Sequence, residues 1–438
     1  MTSATALPAS AVGELCAQIT GWELPDTEVE AADLVTRLEA LKSACAAAQA
    51  RVTMRWDQLR TDTEAHAGVP ASRRGRGLAA EVALARRVSA GQGARHLGFA
   101  RALTSEMPFT LAALTSGVLS EWRATILVRE TGYLTKADRI EIDRRVCGDA
   151  DSLDGVGDAE LDAWVKRLAY ELDPHAVVAR NASAPKDRYV STRPAPDAMV
   201  RLSALLPLAQ GISVFAALKA HADATVGADE RTRAQIMADT LVQRCTGQQT
   251  ATATPIAVNV TVPAAVLARD SDAAAQVDGY GPIPADTARS LMASALDAHA
   301  RVEMRRVFAS PAGAVVAMES RARLFPSGLQ RVLDARDQGL CRLPYCDAPI
   351  VEYDHAQPHS RGGPTSAHNG LGMCATHNRA KQNPGWNVTT HDPPGGRHTA
   401  VVSTPTGATH MSTAPPLPGF EDHKTSRVEL RLMELLAA

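Results

Sequence analysis

The chain has 438 residues, of which 45% are hydrophobic, 4% aromatic and 21% charged, and its formal net charge is −2. This length predicts two or three domains, and the composition excludes a disordered chain, a collagen-like chain and a small disulfide scaffold. A near-neutral average argues against a uniformly basic nucleic-acid binder, but it can hide a local basic field.

No signal for secretion or membrane insertion stands out in the sequence. No apolar run approaches the ~18–20 residues that span a bilayer. The first residues also lack a basic start followed by an apolar block. We therefore expect a cytoplasmic protein without a membrane partner.

The predicted elements are helical over most of the first 172 residues. Apolar residues at three- and four-residue spacing predict a long helix from Ala31 to Leu59, with Leu34, Leu38 and Leu41 on its inner face. Asp158 to Leu172 is predicted as another helix. The elements predicted after it are a hairpin (188–193 and 199–205), helices near 208–223 and 229–245, a strand at 256–262, a helix near 285–300 and a second hairpin around 311–313.

The seven cysteines fall into two groups. Four are scattered singly among helical patterns, and the other three lie between residues 341 and 374. Free cysteine behaves as a small apolar residue, so the scattered ones are expected in the core. They are Cys16, Cys45, Cys147 and Cys245.

One stretch of the helical region, residues 71–101, is strongly basic. It contains seven arginines and a single acidic residue, Glu81. Such a stretch can follow a phosphate backbone, although a charge run is more often a solvated helical face. The first 320 residues show no catalytic constellation. The arginines are Arg73, Arg74, Arg76, Arg86, Arg87, Arg95 and Arg101.

The segment from Cys341 onwards contains two close pairs of soft ligands. Cys341 and Cys346 have four residues between them, and Cys374 and His377 have two. Four such ligands are what a structural tetrahedral zinc site requires. A disulfide between the first two cysteines is the alternative, but it would be unstable in the cytoplasm and would leave the second pair unexplained.

The residues between the two pairs have a catalytic character. Ile350 to His355 is predicted as a strand that ends in Asp354 and His355, and a polar loop leads from it to Asn369. Neutral imidazole near its ordinary pKa can deprotonate water at pH 7. Cys374 opens a helix that carries His377, Asn378 and Lys381.

The order Cys-x4-Cys, Asp-His, Gly-Gly, Asn, Cys-x2-His-Asn-x2-Lys resembles the HNH endonucleases, whose core is the ββα-metal fold. The upstream chain resembles the helical domain of unknown function that precedes HNH modules in actinobacterial proteins. That likeness is carried by ALARRVSAGQGARHLGFARAL, RPAPDAMVRLSALLPLAQG, QIMADTLVQRCTG and ESRARLFPSGLQRVLDARDQGLCR. Together the two resemblances span roughly residues 30–420.

The resemblance implies a role for each matching residue. His355 corresponds to the general base, and Asn369 to the residue that braces the loop and orients that histidine. Asp354 and Asn378 correspond to the ligands of one divalent ion, Mg²⁺ or Mn²⁺. The zinc ligands would be Cys341, Cys346, Cys374 and His377, and Arg361 and Lys381 are placed to contact phosphate.

Two positions depart from the family pattern. Asn378 stands where the motif has a third histidine, although an amide oxygen can still bind a hard cation. His377 stands where many relatives have a cysteine. An alternative alignment would make His377 catalytic and leave zinc with three cysteines.

The other polar and aromatic residues of this region receive simpler interpretations. His359 and His368 are expected to form hydrogen bonds within the loop. His391 and His398 lie in a Pro/Gly-rich stretch and are expected to be exposed. Trp386 is expected to fill the core of a small module.

The sequence therefore predicts an α+β protein in which a large, mainly α-helical N-terminal domain with a small sheet precedes a small zinc-bound ββα-metal domain. The expected function is hydrolysis of phosphodiester bonds in nucleic acid, with DNA as the expected substrate. The alternative is a catalytically inactive zinc module that binds nucleic acid, with the helical domain as an assembly or targeting scaffold. A third hypothesis is a helical interaction protein. The predicted boundaries are 1–29 for an N-terminal segment, 30–325 for the helical domain, 326–390 for the HNH domain and 391–438 for a Pro-rich tail with a short terminal helix.

Overall fold

The computed structural model describes residues 9–228, 230–248, 259–297, 319–320, 322–393 and 396–420. The chain divides into two compact units. The first comprises residues up to 59 together with 97–178, and the second comprises 60–96 together with 179–438.

The described residues form fifteen α-helices and twelve short strands. The helices are α1 (Ala9–Thr20), α2 (Glu28–His66), α3 (Leu78–Arg86), α4 (Ala90–Ser105), α5 (Pro108–Ser116), α6 (Glu121–Thr131), α7 (Lys136–Cys147), α8 (Asp158–Leu172), α9 (Pro174–Ser183), α10 (Leu208–Thr225), α11 (Arg233–Thr246), α12 (Ala264–Leu267), α13 (Ala285–Asp297), α14 (Ser327–Asp337) and α15 (Ala375–Lys381). The strands are β1 (Tyr189–Ala195), β2 (Met199–Leu205), β3 (Val260–Thr261), β4 (Ala275–Val277), β5 (Gly281–Ile283), β6 (Glu319–Ser320), β7 (Glu352–His355), β8 (Thr365–Ser366), β9 (Gly370–Met373), β10 (Asn387–His391), β11 (Thr399–Ser403) and β12 (Thr409–Thr413).

The core of the first unit is aliphatic, as the low aromatic content predicts. Its fully buried side chains include Leu103, Leu127 and Ile142. One buried carboxylate, Asp143, accepts hydrogen bonds from the backbone N–H groups of Phe109 and Thr110, each at 2.7 Å. These N–H groups lie in the first turn of α5, where they have no partner within the helix, so Asp143 satisfies them.

The buried face of α2 differs from the predicted one. The buried residues are small or polar, among them Ala46, Ala47 and Ala50. Leu41 is exposed instead. Close approach of the chain explains the difference, since a Cβ atom added at Gly117 would lie 2.4 Å from the Ala40 Cβ. Small residues permit this contact. The spacing of the larger side chains therefore did not identify the buried face of α2.

Three of the four scattered cysteines also lie outside the core. Cys147 is buried, as expected, but Cys16, Cys45 and Cys245 are exposed. Cys45 and Cys245 occupy positions of α2 and α11 outside the buried face of each helix, and Cys16 lies on α1, where none of residues 10–20 is buried.

The first sheet of the second unit is the predicted hairpin, in which β1 and β2 pair from Tyr189↔Leu205 to Ala195↔Met199. The two helices predicted next correspond to α10 and α11. Strands β3, β4 and β5 form a small antiparallel sheet, and α13 follows it. The hairpin predicted around 311–313 and the terminal helix predicted in the tail lie outside the described residues.

The C-terminal part of this unit contains the ββα arrangement. Strand β7 pairs antiparallel with β9, from Glu352↔Met373 to His355↔Gly370, and α15 follows. Strands β10, β11 and β12 then form a three-stranded antiparallel sheet. This mixture of many helices with small sheets confirms the predicted fold class. Among the described helices, none is long and apolar enough to cross a membrane.

Candidate metal centre and adjoining cleft

The two soft-ligand pairs converge at one end of the ββα core. Cys341 follows α14, and its backbone N–H bonds to the Ala348 carbonyl at 2.9 Å. Cys374 is the N-cap of α15, and His377 lies in the first turn of that helix. The ligand atoms of Cys341, Cys346, Cys374 and His377 all lie within 4.8 Å of one another.

The separations fit a tetrahedral zinc ion. With Zn–S distances of about 2.3 Å and Zn–N of about 2.0–2.1 Å, a tetrahedron places sulfur and nitrogen about 3.6 Å apart and two sulfurs about 3.8 Å apart. The His377 Nδ1 atom lies 3.5 Å from the Cys341 Sγ and 3.6 Å from the Cys374 Sγ. The Cys346 and Cys374 sulfurs are 3.9 Å apart. This geometry favours the four-ligand alignment over the one in which His377 is catalytic.

Burial of this cluster makes a compensating cation chemically reasonable. His377 is 1% exposed, and Cys341 and Cys374 are also buried. Hydrogen bonds with the neighbouring thiols, together with burial, raise the pKa of Cys341, whereas hydrogen bonds with Cys341 and Cys346 lower the pKa of Cys374. Thiolates bind metal and thiols do not, so a divalent cation would supply the positive charge that these sulfurs lack.

A cleft of about 530 Å³ adjoins this cluster along β7 and the end of α15. It brings together Asp354 and His355 from the strand with Lys381 from the helix. The rest of its wall comes from the chain before α14 and from the loop after β7. The lining residues are Arg323, Leu324, Phe325, Tyr353, Asp354, His355, Pro358, His359, Ser360, Lys381 and Gln382.

His355 is held firmly in the wall of the cleft. The side chain is 7% exposed, and its Nε2 atom lies 2.8 Å from the Thr365 hydroxyl. The Phe325 ring packs against it, with 4.6 Å between ring centroids. Burial lowers the pKa of His355 below its ordinary value, and the positive charges of Lys381 and Arg323 act in the same direction. The imidazole is therefore neutral at pH 7.

Asn369 braces the loop that follows His355. Its Oδ1 atom accepts a hydrogen bond from the Gln357 backbone N–H at 2.8 Å, and its Nδ2 donates to the carbonyls of Gln357 and Pro364. A Cβ atom added at Gly363 would lie 1.9 Å from the Gln357 carbonyl oxygen. Only glycine permits this close approach, which accounts for the Gly-Gly pair of the motif.

Asp354 and Asn378, the two predicted ligands of a divalent ion, have different partners. The Asp354 carboxylate is paired with the Lys381 ammonium at 2.7 Å and accepts a bond from Gln382 at 3.1 Å. Asn378 donates through Nδ2 to the Glu352 carboxylate. Its Oδ1 atom is buried and has no hydrogen-bond partner within the described residues. The structure therefore leaves one amide oxygen unsatisfied beside this helix.

The two predicted phosphate contacts also differ. Lys381 lines the cleft, but its ammonium is already bonded to Asp354 and to the His355 carbonyl. Arg361 is exposed in the loop after β7 and does not line the cleft. Arg323 does line it and is exposed. The sequence did not single out Arg323, because it lies before α14 and outside the motif.

The remaining histidines and Trp386 have mixed outcomes. His368 is bonded to Asp392 at 2.7 Å, as a loop residue would be. His359 lines the cleft, and its ring centroid lies 5.5 Å from that of His355. The expectation that His398 is exposed is wrong: it is 5% exposed, and burial lowers its pKa to about 3. It folds under the loop, where its Nε2 contacts the His368 carbonyl. Trp386 lies in the core, as expected.

Sequence reasoning also missed the supporting partners of the motif residues. Thr365 contacts His355, and Glu352 fixes the Asn378 amide. Alternation along β7 offers a signal for Glu352, because it lies two residues before Asp354 on the same face of the strand.

Comparisons with known proteins give one match. The sequence model of a family described as "Domain of unknown function (DUF222)" matches residues 32–337. The match ends before Cys341. No curated protein matches the chain, and no solved structure does. The matched residues make up more than half of the 438, so the chain belongs to the DUF222 family.

Proposed function

We propose that this protein is an HNH-type endonuclease that hydrolyses phosphodiester bonds in DNA. The observation that carries the proposal is the position of His355: a buried, neutral imidazole at the end of β7 shares a cleft with Asp354 and Lys381. A purely structural zinc module requires none of these three groups.

Zinc has a structural role in this proposal. Bound to the cysteines and His377, it would tie the chain after α14 to the first turn of α15. Those two segments flank β7 and β9 in the sequence. A small module has little core of its own, so such a clamp fixes the strand that presents His355.

The hydrogen bonds of Thr365 indicate which nitrogen of His355 would take a proton. The Thr365 hydroxyl lies 3.5 Å from the Arg323 carbonyl, which can only accept. In this proposal the Thr365 hydroxyl accepts a hydrogen bond from the Nε2–H of His355, 2.8 Å away. This assignment follows from the hydrogen-bond network, and it leaves Nδ1 unprotonated and able to accept a proton from water.

Asp354 and Asn378 would hold the divalent ion, Mg²⁺ or Mn²⁺. Both offer oxygen ligands, which hard cations prefer, and the buried Asn378 Oδ1 has no other partner among the described residues. The bond from Asn378 Nδ2 to Glu352 orients that amide. A bound divalent ion would neutralise the charge that develops on the scissile phosphate and the leaving oxygen.

The cations of the cleft would bind the substrate. Arg323 is exposed and lines the same cleft as Lys381, and a guanidinium matches two phosphate oxygens at once. Lys381 balances the charge of Asp354 and would contact phosphate as a point charge.

A plasmid assay tests the proposal. The purified protein is expected to nick or cut plasmid DNA with Mg²⁺ or Mn²⁺ and not with EDTA. His355→Ala is expected to lower the rate at least about 100-fold, as loss of a general base does, without releasing zinc. His391→Ala is the matched control, because His391 is exposed at the end of β10. Cutting by His355→Ala at the parent rate would show that the assignment is wrong.

The inactive zinc module makes the opposite prediction in the same assay. Salt-sensitive DNA binding with no cleavage under any divalent metal would favour it over the nuclease. The pairing of Asp354 with Lys381 is the feature of the cleft that best suits this alternative, since it occupies a predicted metal ligand.

A further inference from the structure

A segment far upstream in the sequence forms part of the core beneath the cleft. Residues 60–96 belong to the same compact unit as the C-terminal module. Ala80 and Leu84 of α3 lie in one buried cluster with Cys341, Cys374 and Trp386. The zinc module therefore completes its core with a helix that precedes it by about 260 residues.

Polar contacts fix this helix in place. Glu81 is 1% exposed and forms an ion pair with Arg60 at 2.8 Å. A buried ion pair requires a defined geometry, because neither charge is tolerated alone in an apolar environment. The start of α3 consequently has a fixed position relative to the end of α2.

The loop that precedes α3 reaches the end of α15. Gly77 is the N-cap of α3, and a Cβ atom added to it would lie 3.0 Å from the Trp386 Nε1 and 3.2 Å from the Asn383 Nδ2. Asn383 directly follows Lys381 and Gln382, which line the cleft. The loop thus lies beside the helix end that forms one wall of the cleft.

This loop, residues 72–77, carries three arginines, and no acidic residue occurs between 65 and 80. Arg74 is partly buried and donates to the Val69 carbonyl at 2.8 Å. Arg73 and Arg76 are exposed, and Arg76 contacts only a backbone carbonyl, that of Ser72. Glu81, the nearest acidic residue after the loop, is already paired with Arg60. Glu64 lies beside the loop, where its carboxylate accepts a hydrogen bond from the Gly75 backbone N–H at 2.6 Å. Among the described residues, neither Arg73 nor Arg76 forms an ion pair, and both guanidinium groups face solvent.

We infer that Arg73 and Arg76 bind backbone phosphates of duplex DNA next to the bond held in the cleft. The inference rests on the proposed nuclease function and names a substrate-binding surface for it. In the proposed function Arg323 and Lys381 would bind phosphate inside the cleft, and the loop would extend this cationic surface beside the end of α15. Such contacts position the duplex without reading its sequence.

DNA binding measured against salt concentration tests this inference. Two full-length proteins are each titrated with a labelled DNA duplex. One carries His355→Ala alone, and the other carries His355→Ala together with Arg73→Gln and Arg76→Gln. Each lost phosphate contact lowers the slope of log K against log salt by about 0.9, so the pair is expected to lower it by about 2 and to weaken binding about 10-fold or more at low salt. The matched control is Arg51→Gln with Arg55→Gln, two exposed arginines of α2 in the other unit.

The outcomes separate this inference from the proposed function. An unchanged slope, an equal loss in the Arg51/Arg55 control, or an arginine-dependent preference for single-stranded RNA would overturn it. If the unsubstituted protein cuts DNA and the Arg73/Arg76 variant binds DNA as the His355→Ala protein does, only the inference fails. If the parent does not cut but binds DNA through these arginines, only the nuclease function fails. Zinc content and thermal melting equal to the parent show that the variant is folded.

Discussion

The zinc cluster and the cleft lie on the same ββα core, yet their polar groups are organised in different ways. In the cluster, four donor atoms lie within 4.8 Å of one another. In the cleft, Asp354 is paired with Lys381, and on the same helix Asn378, which does not line the cleft, is bonded to Glu352. The four ligand atoms of the cluster converge, whereas the Asp354 carboxylate and the Asn378 amide are each bonded to a neighbouring side chain.

The proposed function accounts for this difference. A structural ion contributes to folding, so its ligands must converge in the folded chain. A catalytic site must exchange partners when metal and substrate arrive, and its charged groups need compensation until then. Convergence of the zinc ligands and pairing of the polar groups at the cleft are therefore two separate properties. Different mutations should disturb one of them without the other.

Removal of one soft ligand should have the largest effect. We expect Cys341→Ser to lose the bound zinc and to lower the unfolding free energy of the second unit by about 5 kcal/mol or more, because metal binding and folding are coupled in such sites. Zinc quantification and thermal melting of the full chain measure both effects.

Cys245→Ser serves as the matched control, since Cys245 is exposed on α11 and outside the cluster. It should retain zinc and melt as the parent does. A parent protein that purifies without zinc from zinc-supplemented medium, or a Cys341→Ser variant that melts as the parent does, would contradict the zinc assignment.

Disruption of the loop beneath the cleft should come next. Arg336 on α14 is buried, is paired with Asp337 at 2.7 Å and donates to the carbonyls of Ala367 and Gly370. It therefore holds the segment that carries Asn369. Removing one partner of a buried ion pair costs about 3–5 kcal/mol, so Arg336→Ala should destabilise the second unit by that amount, as measured by urea unfolding.

Arg331→Ala is the control, because Arg331 is exposed on the same helix. The zinc content of Arg336→Ala shows whether the cleft can be disturbed without the cluster. Zinc that stays bound while cleavage is lost would show that the cleft depends on α14 and the cluster does not. A loss of stability below about 1 kcal/mol would refute the role of Arg336 as a clamp.

Much of the helical scaffold could be predicted from the sequence. The Asp158–Leu172 helix and the β1–β2 hairpin agree with the structure because periodicity and turn residues are local signals. The inner face of α2 could not be predicted, since small residues such as Ala46 and Ala47 are selected by close approach of another segment. That contact depends on tertiary structure.

The candidate site shows the same division. Spacing alone placed Cys341, Cys346, Cys374 and His377 in one set, and the structure brings their ligand atoms together. Arg323 was not assigned to the cleft, because it reaches the cleft from a segment outside the motif. Thr365 lies within the motif, but the spacing does not reveal its contact with His355. Non-local packing, as with Ala80 and Leu84 of α3, leaves no pattern within the motif itself.

The smallest predicted effect concerns the wall behind the cleft. Tyr353 lines the cleft and donates to the Asp334 carboxylate at 2.7 Å. Asp278 lies nearby, and burial, with the charge of Asp334, raises its pKa from 3.8 to about 6. Its Oδ1 atom is buried and has no hydrogen-bond partner in the described part of the chain. An ionised carboxylate in this position is a cost to folding.

The sign of the pH dependence follows from that shift. Between pH 3.8 and 6 the folded state binds more protons at Asp278 than the unfolded state does, so the unfolding free energy falls as pH rises, and the full penalty is present above pH 6. Asp278→Asn removes this penalty. After allowance for solvent screening it should stabilise the protein by about 1–2 kcal/mol at pH 7.5 and by about half as much at pH 5. Urea unfolding at both values measures the difference, with the exposed Asp270→Asn as control. Equal stability of Asp278→Asn and parent at pH 7.5 would mean that Asp278 is solvated or paired in solution. Unchanged zinc content in the stabilised variant would place the effect in the wall of the cleft and leave the metal cluster out of it.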